Sequence, residues 1–370
     1  VSLLNPVKLW RNERMIPVPE ISLLQPTVLR GVVERFTAPE SLEMLSRIPQ
    51  TPHPFPTVQW EVIRGSRAIA RPNVPNSEAH IVPRLGRSTE SAAFVYLREK
   101  KVFEPTTLHW LRQAANSISE LANRRAEEAV LREVADLNQR FDNFAEFMIW
   151  QALTGELVLD YPDVQATVDY KFLPSHKPSP SVGWDSAAPG QIVEDIRAWK
   201  RLIRRDGRVE AQDAYATEKT IAYIFDSFAN AGLSAPGTQG GILLSDRMKD
   251  QYYQTGVLPG FMGLNWRPQE AVYDAAGAAY TSSPTDPGQE QLFLADDALV
   301  LGNFTENRPI EVFIGPTADD EAPENYTGKF AKTWKDKDPS ARQYLLEWNL
   351  LPVITRPEQF IYVSNVTQAA

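Results

Sequence analysis

The chain contains no cysteine, which excludes disulfides, thiolate metal sites and any thiol nucleophile and leaves packing to hold the fold together. Histidine is scarce. His53, His80, His109 and His176 are scattered, with no His-Glu-x-x-His pattern and no helical spacing between them, so no metal site is expected. No apolar run could span a bilayer, and Val1 to Met15 mixes Lys8, Arg11 and Arg14 with Asn and Pro instead of forming a signal-peptide core. Secretory export is therefore not expected, and the Asn-x-Thr sequons at Asn303, Asn325 and Asn365 read as coincidental. Positive charge is short as well: the net charge of −9 has the wrong sign for a protein that coats nucleic acid over its whole surface. Catalytic motifs are missing. Gly237-Thr-Gln-Gly-Gly follows Pro236 and precedes a short apolar stretch, the wrong order for a strand-loop-helix phosphate site, and there is no Gly-x-Ser-x-Gly elbow. Asp296-Asp297 and Asp319-Asp320-Glu321 lack the spacing of a calcium loop and read as solvated turns.

What is present is 43% hydrophobic and 23% charged residues over 370 positions, a folded soluble composition with room for two or three compact units. The most informative stretch is Pro105 to Trp150, where Leu108, Leu111, Ala115, Ile118, Leu121, Ala129, Val130, Val134, Leu137, Phe141, Phe144 and Phe147 form one stripe at three- and four-residue steps. That predicts a single helix of roughly 45 residues, about 70 Å long, stopped by Gly155. The opposite face carries charges of both signs. Such a helix is either a structural spine that other elements must cover or a long core helix kinked near Asn123.

Around it, Val1 to Pro56 is proline-rich and reads as an extended arm, with disorder as the alternative. Val58 to Ile63 and Ala92 to Leu97 read as two strands of a long loop. The arginines of that loop, Arg64, Arg67, Arg71, Arg84, Arg87 and Arg98, suit bidentate pairing with carboxylates of neighbouring chains better than nucleic-acid contact. Leu157 to Phe172 predicts a strand pair bent at Tyr161-Pro-Asp, Gln191 to Arg205 an amphipathic helix, Thr220 to Phe228 a buried strand, and Leu243 to Tyr253 a helix. Strands are then expected near Glu270, Glu290, Ala298 and Glu311 and over Tyr344 to Ile354 and Phe360 to Val363. Arg197, Lys200, Arg201, Arg204, Arg205 and Arg208 form the strongest basic group, best explained by the C-terminal end of their helix.

This order of parts resembles the Hong Kong 97 type phage capsid fold, over essentially the whole chain. The C-terminal third is similar to the lambda-type major capsid (head) protein family of tailed bacteriophages. The residues that carry the likeness are Ala271-Val-Tyr-Asp with Tyr280, Phe293-Leu-Ala-Asp-Asp-Ala-Leu-Val-Leu-Gly-Asn303, Trp334 with Asp338-Pro-Ser-Ala-Arg342, and Leu351-Pro-Val-Ile-Thr-Arg-Pro-Glu-Gln-Phe360-Ile-Tyr-Val. The resemblance implies an α+β protein with an N-terminal arm (1–56), an E-loop (57–103), a spine helix and peripheral domain (104–189), an axial domain (190–342) and a return to the peripheral domain (343–370). It implies a structural major capsid protein that self-assembles into hexamers and pentamers of an icosahedral shell around double-stranded DNA. No catalytic residue, cofactor or metal comes with it, and no membrane. The expected partners are other copies of the chain, a portal, a scaffold, a decoration protein, and packaged DNA touched without sequence specificity. The expected location is the virion capsid, after synthesis and assembly in the host cytoplasm. Inter-subunit contacts are expected at Trp60, Phe94 and Tyr96, at the loop arginines Arg64, Arg67, Arg71, Arg84 and Arg87, and at Arg356 and Glu358. Two other functions fit less well: an encapsulin-like nanocompartment shell, and a carbohydrate-binding or carbohydrate-active protein using the nine tryptophans as a sugar platform.

Overall fold

The proline-rich N-terminal stretch is not extended throughout. The computed structural model describes residues 42–63, 88–103, 119–161, 164–234, 249–274, 290–337 and 340–367, with residues 33 and 69 besides. Within them, Glu43–Arg47 forms a short helix, α1, that buries Met44 and Leu45, and Gln50–Pro52 follows as strand β1. The helix was hidden in the sequence by its prolines, which lie outside it on both sides and so do not break it.

The chain divides into two units, one of Val1–Arg35, Lys100–Asp136 and Ala331–Leu345, the other of Phe36–Glu99, Leu137–Phe330 and Leu346–Ala370. The expected long helix is continuous over Ser119–Leu153 (α2), with no break at Asn123; residues 105–118 lie outside the described ones. Its buried positions Val130, Val134, Leu137, Phe141, Ala145, Met148 and Ala152 keep three- and four-residue steps, one stripe along one face. It ends where Gly155 takes a left-handed φ of 98° and its N–H bonds to Ala152 O at 2.9 Å, the geometry a glycine allows without a steric penalty. In the first unit Val130 and Val134 are buried, as are Ala331 and Tyr344 of strands β14 (Phe330–Lys337) and β15 (Ser340–Ile354).

In the second unit, strands β5 (Glu156–Tyr161) and β6 (Val164–Asp169) make the expected antiparallel pair, with Leu157 and Leu159 facing inward. Strands β2 (Thr57–Val62) and β3 (Ser88–Ala93) form a second antiparallel ribbon, and β4 (Val95–Phe103) continues from it. Strand β13 (Ile310–Ile314) runs parallel to β1 and antiparallel to the C-terminal part of β15. A separate five-stranded sheet has the order β16-β12-β7-β9-β8, from Phe360–Val363, Leu299–Gly302, Asp213–Ala216, Leu264–Pro268 and Leu258–Phe261. Helices α3 (Pro189–Asp206) and α4 (Glu218–Ser234) share a core with it: Ile192, Ile196, Trp199 and Ile203 pack with Ile221, Ile224, Ala214, Ala216, Leu301 and Ile361. The short strands β10 (Val272–Asp274) and β11 (Glu290–Leu292) pair near the α2 segment that carries Phe147.

One expected element changes type. Thr220 to Phe228 is not a strand but part of helix α4. The run is dense in aromatic and β-branched residues, which favours a strand on composition. Yet Ile221, Ile224 and Phe225 fall at helical spacing, and Thr217 Oγ1 accepts from the Thr220 N–H at 3.4 Å as a helix-starting cap. Of the predicted helix from Leu243 to Tyr253, residues 249–255 are helical and the rest lies outside the described ones.

Candidate assembly surfaces

Helix α1 is held by α2. Glu146 is fully buried; its Oε2 accepts the Leu45 N–H at 2.7 Å, and its Oε1 accepts the Met44 N–H at 3.2 Å and the Trp150 Nε1–H at 2.8 Å. One carboxylate thus caps the first turn of α1 across some hundred residues of sequence. Burial pushes the Glu146 carboxyl up to about 7, against the pull of those three donors, with Glu43 adding to the rise. From its other end α1 sends Arg47 onto β7: the guanidinium donates to Asp213 and to the Tyr215 hydroxyl and lies 5.4 Å from the Phe304 ring centroid. Arg267 completes the lattice, donating to Glu43 Oε1 at 2.9 Å. The residue types explain the geometry, since a buried Asp213 needs a charged donor and a planar guanidinium can both bond and stack.

The loop ribbon presents two kinds of residue. Trp60 and Phe94 are buried in their own subunit: Trp60 lies 6.4 Å from the Tyr170 ring, and Phe94 packs with His53 and over Gly315, where an added Cβ would come within 2.6 Å of the Phe94 ring. Tyr96 points outward at 49% exposure. It lines a groove of about 450 Å³ between β4, α2 and the β5–β6 pair, with Phe144, Phe147, Tyr161, Val164 and Tyr273 as its aromatic and aliphatic wall. At one side Arg140 holds Glu99 in two bonds of 2.9 and 3.0 Å. Beside the groove Arg98 reaches Asp319 at 3.2 Å and lies 3.7 Å from Glu347, the two carboxylates nearly inaccessible, while Asp320 and Glu321 of the same turn are exposed.

A buried ion pair sits beneath. Lys329 Nζ donates to Asp142 Oδ1 at 2.6 Å and lies 4.8 Å from the Trp348 ring centroid. Burial raises the Asp142 carboxyl and lowers the Lys329 ammonium, each partly offset by the other. Arg356 is half-buried at the start of the turn Pro357–Gln359, and Glu358 is buried, its carbonyl oxygen so close to Gly207 that a Cβ there would come within 2.6 Å. His176 fixes the same corner, with Nδ1 2.7 Å from Phe360 O and Nε2 3.3 Å from Asp206 Oδ2. Arg64, Arg67, Arg71, Arg84 and Arg87 lie outside the described residues.

The tryptophans do meet in space, as cores. Trp184 stacks on Trp199 at 5.7 Å and neighbours Trp266 at 6.3 Å, all three buried, while Trp60, Trp150 and Trp348 are buried elsewhere. They offer no sugar platform among the described residues. No cluster of metal-ligating side chains occurs among those residues either, and no helix among them is long and apolar enough to cross a membrane. What the sequence did not reveal is the anchoring set: Glu146, Arg47, Asp213 and Lys329 are single charged residues without a motif, recognisable only once the fold buries them.

The α+β fold is of the phage capsid kind. It is similar to the crystal structure of an Escherichia coli CFT073 prophage protein assigned as a capsid protein, at 15% identity over 75% of this chain and 79% of that one, with a TM-score of 0.51. It is also similar to a phage-related protein from Bordetella bronchiseptica RB50, at 13% identity over 93% and 98%, with a TM-score of 0.50. No curated protein matches the sequence. Residues 27–365 match the model of the phage major capsid protein E family, and the chain belongs to that family. It is a structural capsid protein with the Hong Kong 97 type fold, and proteins of this kind form the capsid of the virion.

Proposed function

We propose that copies of this chain join as hexamers and pentamers into a closed icosahedral shell around double-stranded DNA, without catalysis, in company with a portal, a scaffold and a decoration protein. The arm (1–56) and loop (57–103) overlie neighbouring subunits, while the spine and peripheral part (104–189 and 343–370) and the axial part (190–342) form the tile. One observation supports this above the others: the groove beside α2 leaves Tyr96, Tyr161 and Val164 at 49%, 38% and 47% exposure, an aromatic trough that a solitary subunit would hold in water. Large obligate interfaces of this type bury about 2,000 Å² or more.

In this reading Tyr96 and Arg356 meet neighbouring subunits directly, with Arg64, Arg67, Arg71, Arg84 and Arg87 pairing with carboxylates across the same boundaries. Trp60, Phe94 and Glu358 act one step back, by holding the ribbon and the Arg356 turn in position. The paired substitution Tyr96→Asp with Tyr161→Asp tests it, since both rings are at the surface and charge there spares the core. The variant is expected to remain a folded subunit by circular dichroism and to give no shells in electron micrographs; shells of normal size and yield would overturn the assignment of this groove.

A further inference from the structure

Residues 51–57 read Thr-Pro-His-Pro-Phe-Pro-Thr, a run with no lysine, arginine or carboxylate. Its three prolines stand at alternate positions and restrict the backbone. The base of the run is pinned: the His53 N–H donates to Ile314 O on β13 at 2.8 Å, and the His53 ring lies 5.9 Å from Phe94 and 5.7 Å from Phe313. Its crest is bare. Pro54, Phe55 and Pro56 are exposed, Phe55 at 65%, and the Phe55 ring packs against His53 at 5.8 Å. The run is therefore a stiff apolar knob standing in water. Among the described residues two large hydrophobic side chains are more exposed, and each sits among charges: Ile69 between Arg67 and Arg71, and Tyr253 one helical turn from Lys249 and Asp250.

The groove beside α2 is the complementary surface. Tyr96, Phe144, Phe147, Tyr161 and Tyr273 line it with rings, the kind of wall on which proline-rich segments dock. Its charged lining residues, Arg98, Arg140, Glu99 and Asp274, sum to zero, and the two arginines are engaged within the subunit, Arg140 with Glu99 and Arg98 with Asp319. A neutral trough suits an uncharged occupant, because a charged one would give up its water for no excess of opposite charge. Phe55 is not among the lining residues of its own subunit. We propose that the groove of one copy takes Phe55, with Pro54 and Pro56 on either side of it, from the next copy. The proposal rests on the shell reading above and names what fills the groove that reading leaves to a neighbour. One knob and one groove on each copy make a heterologous contact, the kind that generates rings when the rotation between copies closes. A knob already held on β13 and stiffened by proline also loses little freedom on docking.

The test uses the full chain in assembled shells, with Phe55→p-benzoylphenylalanine as a photo-crosslinker and equal parts of heavy-isotope-labelled and unlabelled copies. Illumination is expected to give crosslinks that join heavy to light copies and map to peptides carrying Tyr96, Tyr161 or Tyr273. Crosslinks confined to one copy, or mapped to another face of the neighbour, would overturn this proposal and leave the shell reading standing. Phe55→Asp and Phe55→Trp are compared alongside. The side chain is exposed, so both variants are expected to keep the thermal midpoint of the dissociated subunit. The aspartate variant is expected to lower the yield of shells roughly tenfold or more, as the loss of an interface anchor does, while the tryptophan variant keeps it. An unchanged yield from Phe55→Asp would overturn the proposal; failure of wild type to form shells or rings would overturn the shell reading and this contact with it.

Discussion

Substituting Glu146 by glutamine should abolish a specific pH dependence of stability. The native carboxyl holds its proton up to about 7, whereas a glutamate in the unfolded chain releases it near 4.5. Between those values the native state binds a proton that the unfolded state has given up, so this group's contribution is greatest at acid pH and is lost as pH rises through 7. The limit of the effect is about 3.4 kcal/mol, and between pH 8 and pH 5 it amounts to about 2.5 kcal/mol. Glu146 is buried, so solvent screening takes little from this figure. Glu146→Gln fixes the neutral form: the amide oxygen replaces one carboxylate oxygen, and the amide NH2 meets a backbone N–H, a loss of about 1–2 kcal/mol that does not vary with pH. Asp142 and the other titrating groups are common to both proteins, so the difference isolates Glu146. Urea unfolding of the dissociated subunit at pH 5, 6, 7 and 8 provides the assay, followed by tryptophan fluorescence, to which Trp150, the donor to this carboxyl, contributes. Wild type should gain about 2.5 kcal/mol on the variant from pH 8 to pH 5; parallel profiles would refute the reasoning.

Removing one member of the Lys329 and Asp142 pair should be severe and removing both mild. Lys329→Met strands a buried carboxylate and is expected to lose about 3–5 kcal/mol in denaturant unfolding, most of it recovered when Asp142→Leu is added. Arg47→Ala leaves Asp213, buried to within 2% of full inaccessibility, with only the 3.5 Å approach of Arg267, and should cost about 3 kcal/mol while speeding proteolysis ahead of Gln50. Gly315→Ala drives a Cβ to 2.6 Å from the Phe94 ring and is expected to lower stability by about 1–3 kcal/mol, read as a drop in the thermal midpoint; an unchanged midpoint would mean that Phe94 yields freely.

The sequence disclosed elements whose burial follows a period. The α2 stripe, the β5–β6 alternation and the apolar side of α3 were legible because each repeats over enough residues to fix its type. Strand β7 was not, because Asp213-Ala-Tyr-Ala is short, holds two alanines and is buried on both faces, leaving no alternation to detect. Helix α4 was misread because its core-facing residues are those that also favour strands. Helix α1 escaped notice among prolines, since what stabilises it, the Glu146 carboxylate and the Arg47 lattice, is distant in sequence. Tyr96, expected from its place in a loop strand to meet a neighbouring subunit, is exposed. Trp60 and Phe94 share that strand character but face inward, a distinction set by which neighbour covers each face.

The central claim, that this chain is the tile of a closed shell, is tested most directly by expressing it alone and recording electron micrographs together with a solution mass. Closed polyhedral particles, or rings of five and six subunits, are predicted; a species of 41.6 kDa that stays monomeric on concentration would contradict the account.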